Sequence, residues 1–159
     1  MSVIVVTDSS SRLTADELKQ NNIRQVPLHV LVDGADLQDG IDDVPNDIHD
    51  RPRATTSGAS PAALTEMYRQ ALADSNGDGV VAVHLSAALS STFSTAVQVA
   101  REFGPSVRVV NSRSAAMGVG FVACVAADAA AAGEDLETVE AEARSAVTAP
   151  PLRRVPLHQ

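Results

Sequence analysis

The sequence has no tryptophan, one tyrosine and three phenylalanines. With aromatic residues at 3% and hydrophobic residues at 45%, any core must be built from Val, Leu, Ile and Ala. Cysteine is nearly absent as well: Cys124 stands alone, cannot close an internal disulfide, and points to a reducing compartment, the cytoplasm. Positive charge is scarce, with 12 Lys and Arg against 20 Asp and Glu. The resulting net charge of −8 repels phosphate backbones and argues against nucleic-acid binding. Long hydrophobic runs are missing. The most apolar stretch, Ala115 to Ala127, falls short of the ~18 apolar residues of a membrane span, and its alanines and glycines suit a tightly packed interior helix. The first residues, MSVIVVTDSSS, carry no basic segment and only a short apolar run from Val3 to Val6. They read as a strand, not a signal peptide.

What is present alternates between strand and helix. SVIVVT is a β-branched apolar run that enters a loop at DSSS. Thr14 with Glu17 three residues on forms a capping box for a helix that Asn21 and Asn22 can end. IRQVPLHVLVDG reads as a second strand, with Pro27 marking an edge or a bulge. Residues 33 to 53 are acidic and irregular, with a short helix expected around Asn46 to Asp50. Ser60 suits an N-cap and Pro61 the first helical position, and Leu64, Met67, Tyr68, Ala71 and Leu72 then fall on one helical face. VVAVHLS is a third buried strand, followed by a helix that Gly104-Pro105 ends. SVRVVNS is a fourth strand, followed by an Ala-rich helix closed near Gly133 and an amphipathic one through Leu136, Val139, Ala143 and Val147. This alternation implies an α/β fold: a parallel sheet of about four strands sandwiched by helices.

In such sheets ligands bind at the carboxyl ends of the strands. Three of the four strands end in hydroxyl-rich loops, at Thr7-Asp8-Ser9-Ser10, at Ser86 and at Asn111-Ser112, and ATTSGASPAAL supplies a fourth. A serine hydrolase is disfavoured because no serine sits in a G-x-S-x-G elbow, and His84, near the end of the third strand, is expected to face a helix layer and has no orienting partner that the sequence names. Asp74, Asn76, Asp78 and Gly79 match part of a calcium loop, but Leu85 stands where the bidentate Glu belongs. The acidic run Asp33, Asp36, Asp39, Asp42, Asp43 has no diagnostic metal spacing and reads as a solvated loop, so no metal site is expected. Cys124 lies among apolar residues and reads as an inert thiol. Gly118 and Gly120 read as allowances for close helix packing. What remains is anion binding by hydroxyls and backbone N–H groups. For Ser60 alone plain capping accounts for the hydroxyl, whereas Thr56, Ser57 and Ser86 together fit a binding edge at least as well.

VTDSSSRL, TTSGASP, LSAALSSTFSTA and VVNSRSAAMGVG occur in an order and spacing that resembles the N-terminal domain of DegV-family proteins, across roughly residues 3 to 130. That family binds long-chain fatty acids, and in some bacteria its members carry the acyl chain to a fatty acid kinase. The resemblance implies that Thr56 and Ser86 hold the carboxylate, with the Ala87 N–H as a further donor and Ser57, Asp8 and Ser9 shaping the pocket edge. It implies a non-enzymatic carrier without a cofactor. A kinase subunit is the expected protein partner, and a transient contact with a membrane surface is compatible with lipid loading. Gly58-Ala59 stand where the family has Gln-Pro, Ala87-Ala88 replace Ser-Gly, Ser91 replaces Gly, and Asn111 replaces Asp. The family also carries a larger C-terminal domain. Residues 1–149 therefore read as the N-terminal domain, and 150–159 as an unstructured tail or the start of the second. Two alternatives stay open: a small-molecule phosphotransfer enzyme resembling a dihydroxyacetone-kinase domain, with His84 taking part, and a vestigial domain kept for protein contacts.

Overall fold

The computed structural model describes residues 2–32, 35–38 and 55–148. Strands β1 (Ile4–Asp8), β2 (Ile23–Val26), β6 (Val80–His84) and β7 (Val107–Asn111) form a parallel sheet in the order β2-β1-β6-β7. β1 and β6 are buried along their whole length, as continuous Val and Ile runs require when helices cover both faces of a sheet. The two faces separate cleanly. Val3, Val5, Val81 and Val83 pack against the helices α4 (Met117–Ala131) and α5 (Leu136–Thr148). Ile4, Val6, Val80 and Ala82 face the other layer, made by α2 (Pro61–Asp74) and α3 (Thr92–Ala100). The short helix α1 (Ala15–Gln20) packs Leu18 against the first of these clusters. The period-2 alternation of each strand thus divides one sheet between two cores.

The local signals act as their chemistry requires. Thr14 and Glu17 form a reciprocal capping box on α1. Ser60 Oγ accepts the Ala63 N–H (3.1 Å) with Pro61 opening α2. Gly133, with φ of 84°, ends the α4 segment. Cys124 is half-buried beside the first core cluster.

Two features depart from the sequence reading. IRQVPLHVLV is not one strand: Pro27-Leu28 divides it into β2 of the parallel sheet and β3 (His29–Val32) of a second, antiparallel sheet. Proline at position 27 has no N–H for the ladder, so the chain leaves the first sheet there. β4 (Ala35–Gln38) and β5 (Thr55–Ser57) complete this small sheet in the order β4-β3-β5; the first comes from the stretch expected to be irregular and the second from one expected to be a hydroxyl-rich loop. The helix expected around residues 46 to 50, most of the acidic run and the segment 150–159 lie outside the described residues. Among the described residues no helix is long and apolar enough to cross a membrane, and no cluster of three or more His, Cys, Asp or Glu side chains is placed to hold a metal ion.

Candidate functional site

The chain steps from β1 outward to β2 on one side, and β6 then joins β1 on the other. The crevice between β1 and β6 is therefore the topological switch point, the usual ligand position in an open parallel sheet. Asp8 ends β1 and His84 ends β6, so both lie at this point.

Asp8 is fully buried and all its acceptor capacity is used. Oδ1 accepts the Ser10 N–H (2.9 Å) and the Ser10 hydroxyl. Oδ2 accepts from His84 Nδ1 (2.9 Å) and from the Leu85 N–H (3.1 Å). Burial pushes the Asp8 carboxyl up, but the hydrogen bonds from His84, Ser10 and Leu85 outweigh it and hold the group below its ordinary pKa. On its other side His84 Nε2 lies 2.7 Å from the Tyr68 hydroxyl of α2. Burial, helped by the Asp8 charge, pushes the Tyr68 hydroxyl far above its ordinary value, so it keeps its proton. Nε2 is its one hydrogen-bond partner among the described residues, so the Tyr68 O–H donates to Nε2 and Nδ1–H donates to Asp8. The result is a one-way chain, Tyr68 to His84 to Asp8, fully buried at each side chain.

Sequence reasoning placed Tyr68 on an apolar face and found no partner for His84. The missing signal was register: even-numbered residues of β1 and β6 share the face that meets α2, and this brings Asp8, His84 and Tyr68 together. Both ring nitrogens of His84 are bonded, so the histidine is a satisfied core residue.

Above this buried layer lie the loops. Ser9 Oγ accepts the Leu28 N–H (3.0 Å), tying the end of β1 to the segment that leaves the sheet. Thr7 Oγ1 donates to Val83 O (2.8 Å) across the β1–β6 pair. Ser86 is half-exposed; its N–H donates to Ser114 O (2.8 Å) and its Oγ accepts the Ala88 N–H (3.2 Å). No described residue accepts the Ser86 hydroxyl hydrogen, which leaves that donor available. The Ala87 N–H makes only a long contact, 3.4 Å, to Asn111 Oδ1, which also accepts the Arg113 N–H at 2.9 Å. The loop after β7 is strained where it enters α4, with Ala116 at φ 50°, ψ −122°.

The fourth stretch joins this edge through its backbone. Thr56 and Ser57 lie in β5 opposite Val30 and His29. Immediately afterwards the Ala59 N–H donates to Thr92 Oγ1 (3.3 Å), which is also bonded to Ser90 Oγ (2.9 Å). A Cβ on Gly58 would come within 2.7 Å of Thr92 Oγ1 and 3.1 Å of Ser91 Oγ. Glycine at 58 thus leaves room for the Thr92 and Ser91 side chains. Gly120 serves a comparable purpose, since a Cβ there would lie 2.8 Å from Ser11 O, and α4 packs directly on the turn after β1. The exposed large hydrophobic side chains among the described residues, Leu89 and Met117, belong to the loop before α3 and to the first turn of α4, on the same edge.

The arrangement offers neutral hydroxyls and N–H groups at the mouth of a parallel sheet, flanked by exposed apolar side chains. Such a surface can hold a carboxylate without burying an unpaired cation. The sequence profile of DegV, described as an uncharacterised protein family, matches residues 2–149. A DegV domain-containing protein of Mycobacterium tuberculosis is 61% identical over 148 residues, covering 93% of this chain and 52% of the relative. One from Streptomyces coelicolor is 38% identical over 152 residues, covering 92% of this chain and 54% of the relative. Among solved structures, the fatty-acid-binding DegV family protein of Thermus thermophilus superposes with a TM-score of 0.84 at 34% identity, covering 92% of this chain and 54% of that one. DegV of Bacillus subtilis, a fatty acid binding protein, does so at 0.79 and 26%, covering 91% and 53%. The chain spans about half the length of the curated relatives it matches. On sequence and fold alike, it belongs to the DegV family.

Proposed function

We propose that this chain is the carboxylate-holding half of a fatty-acid carrier. The observation that carries the reading is the convergence of the β1, β6 and β7 loops at one sheet edge, beside the exposed Leu89 and Met117. The named binding of fatty acids by the Thermus thermophilus and Bacillus subtilis relatives supports it. In this reading Thr56 and Ser86 hydrogen-bond the carboxylate and the Ala87 N–H exchanges its long contact to Asn111 for the ligand. Ser57 and Ser9 shape the rim, and Asp8 supports it from below. The acyl chain leaves along the apolar flank beside Leu89 and Met117. Each buried methylene contributes about 0.8 kcal/mol, so enclosure governs affinity while the hydroxyls set orientation. A fatty acid kinase acting on the presented carboxylate and a transient membrane contact for loading are the partners this reading expects, in a cytoplasmic setting. The satisfied ring of His84 favours binding over catalysis.

The test is native mass spectrometry of the purified chain with lipid extraction, followed by palmitate titration of wild type and Thr56→Ala. A co-purified fatty acid, and a loss of about 1–3 kcal/mol of palmitate affinity in the variant, is the expected result for removing a hydrogen bond to a charged group. Palmitate binding unchanged by Thr56→Ala would remove Thr56 from the site.

A further inference from the structure

A loop presents hydrogen-bond donors in a defined geometry only when its backbone is tied down. The β1–β6 ladder runs from Ile4 opposite Val80 to Thr7 opposite Val83, and β1 then turns away at Ser9. The Leu85 N–H emerges just past the end of this ladder and takes the Asp8 carboxylate as its acceptor (3.1 Å). Leu85 directly precedes Ser86 and Ala87, the expected head-group donors. The Ser86 N–H is held from the β7 side by Ser114 O (2.8 Å), so the turn is gripped on both flanks, by a side chain on one and a backbone carbonyl on the other.

We propose that Asp8 is the positioning residue that fixes the Leu85–Ala87 turn, acting from beneath the site without touching ligand. This deepens the carrier reading and rests on it for the identity of the ligand, though not for the tether. Asp8 is fully buried, which keeps it from ligand contact. One oxygen folds the Ser9–Ser11 turn through Ser10, and the other joins His84 to Leu85, so one carboxylate couples the β1 loop to the β6 loop. The Tyr68 hydroxyl, 2.7 Å from Nε2, fixes the ring so that Nδ1–H faces the carboxylate. A neutral side chain cannot replace Asp8. The Ser10 hydroxyl can rotate away, but the N–H groups of Ser10 and Leu85 are fixed by the backbone. Asparagine has a single acceptor oxygen to offer the two of them, and that oxygen carries no charge.

The experiment is NMR-detected amide hydrogen exchange on the full 159-residue chain, comparing wild type, Asp8→Asn and Ser10→Ala, with palmitate as the probe ligand. In the wild type the Leu85 amide is protected like that of Val83. In Asp8→Asn the Leu85, Ser86 and Ala87 amides exchange about tenfold faster or more, the scale for losing a hydrogen bond to a charged group. The Leu85 amide proton moves upfield, palmitate affinity falls by a similar factor, and Val81 and Val83 keep their protection. Ser10→Ala, which removes a donor from the other oxygen only, leaves Leu85 to Ala87 at their wild-type rates. Free exchange of Leu85 in the wild type overturns the proposal and is readable even if Asp8→Asn does not fold. It is equally overturned if exchange rises uniformly through β6, or if Asp8→Asn leaves the palmitate affinity of a palmitate-binding wild type unchanged. Should wild type bind no palmitate, the carrier reading fails and the exchange pattern alone decides the tether.

Discussion

Gly58→Ala tests whether the threonine-serine stretch is seated on the start of α3. The added Cβ would lie 2.7 Å from Thr92 Oγ1, 3.1 Å from Ser91 Oγ and 3.2 Å from the Thr92 backbone nitrogen. Thr92 cannot step aside cheaply. It is fully buried, its β-branched side chain has few rotamers in a helix, and its Oγ1 accepts the Ala59 N–H while bonded to Ser90. Relief means rotating Thr92, which leaves a buried N–H without its acceptor, or lifting residues 58 to 60 off the helix. Overpacking of this kind costs about 1–3 kcal/mol, and a lost hydrogen bond adds about 1 kcal/mol. We expect a loss of about 2 kcal/mol, read as a lower urea midpoint with an unchanged m-value. Adding Ser91→Gly removes one of the three contacts and should recover part of the loss. A Gly58→Ala protein within about 0.5 kcal/mol of wild type, the range of a neutral surface change, would refute the contact and with it the seating of residues 58 and 59 on the start of α3.

Two further predictions concern the layers below and beside the site. Because the Asp8 pKa is depressed in the folded chain, its contribution to stability is present above the unfolded value of about 4 and is lost as pH falls through the lower folded value. Urea midpoints measured from neutral pH down into that acid range should fall more steeply for wild type than for Asp8→Asn, and identical profiles would contradict the buried carboxylate. Ala116→Gly relieves a residue held at φ 50°, ψ −122° and should stabilise the chain by about 1 kcal/mol. Scanning calorimetry would register this as a rise in Tm, and a fall would show that the strain is not located at Ala116.

Local sequence chemistry dictated much of this molecule. The capping box at Thr14, the Ser60-Pro61 start of α2 and the continuous β-branched runs of β1 and β6 are contacts or preferences within a few residues, so a linear reading finds them. The alternation of strand and helix was likewise enough for a parallel α/β sheet with hydroxyl loops at one edge. The small antiparallel sheet was not legible. β5 is three residues long, and its pairing with β3 depends on where Pro27 releases the chain, which no periodicity reports. Nor was the buried chain of Tyr68, His84 and Asp8. These residues are separated by 16 and 76 positions, and each looks ordinary in its own segment. Only the β1–β6 register and the packing of α2 on that face bring them within hydrogen-bond distance. Removing all three side chains from water is also a tertiary act: it raises the cost of every unpaired polar atom and so compels the pairing that makes Asp8 the anchor of the edge.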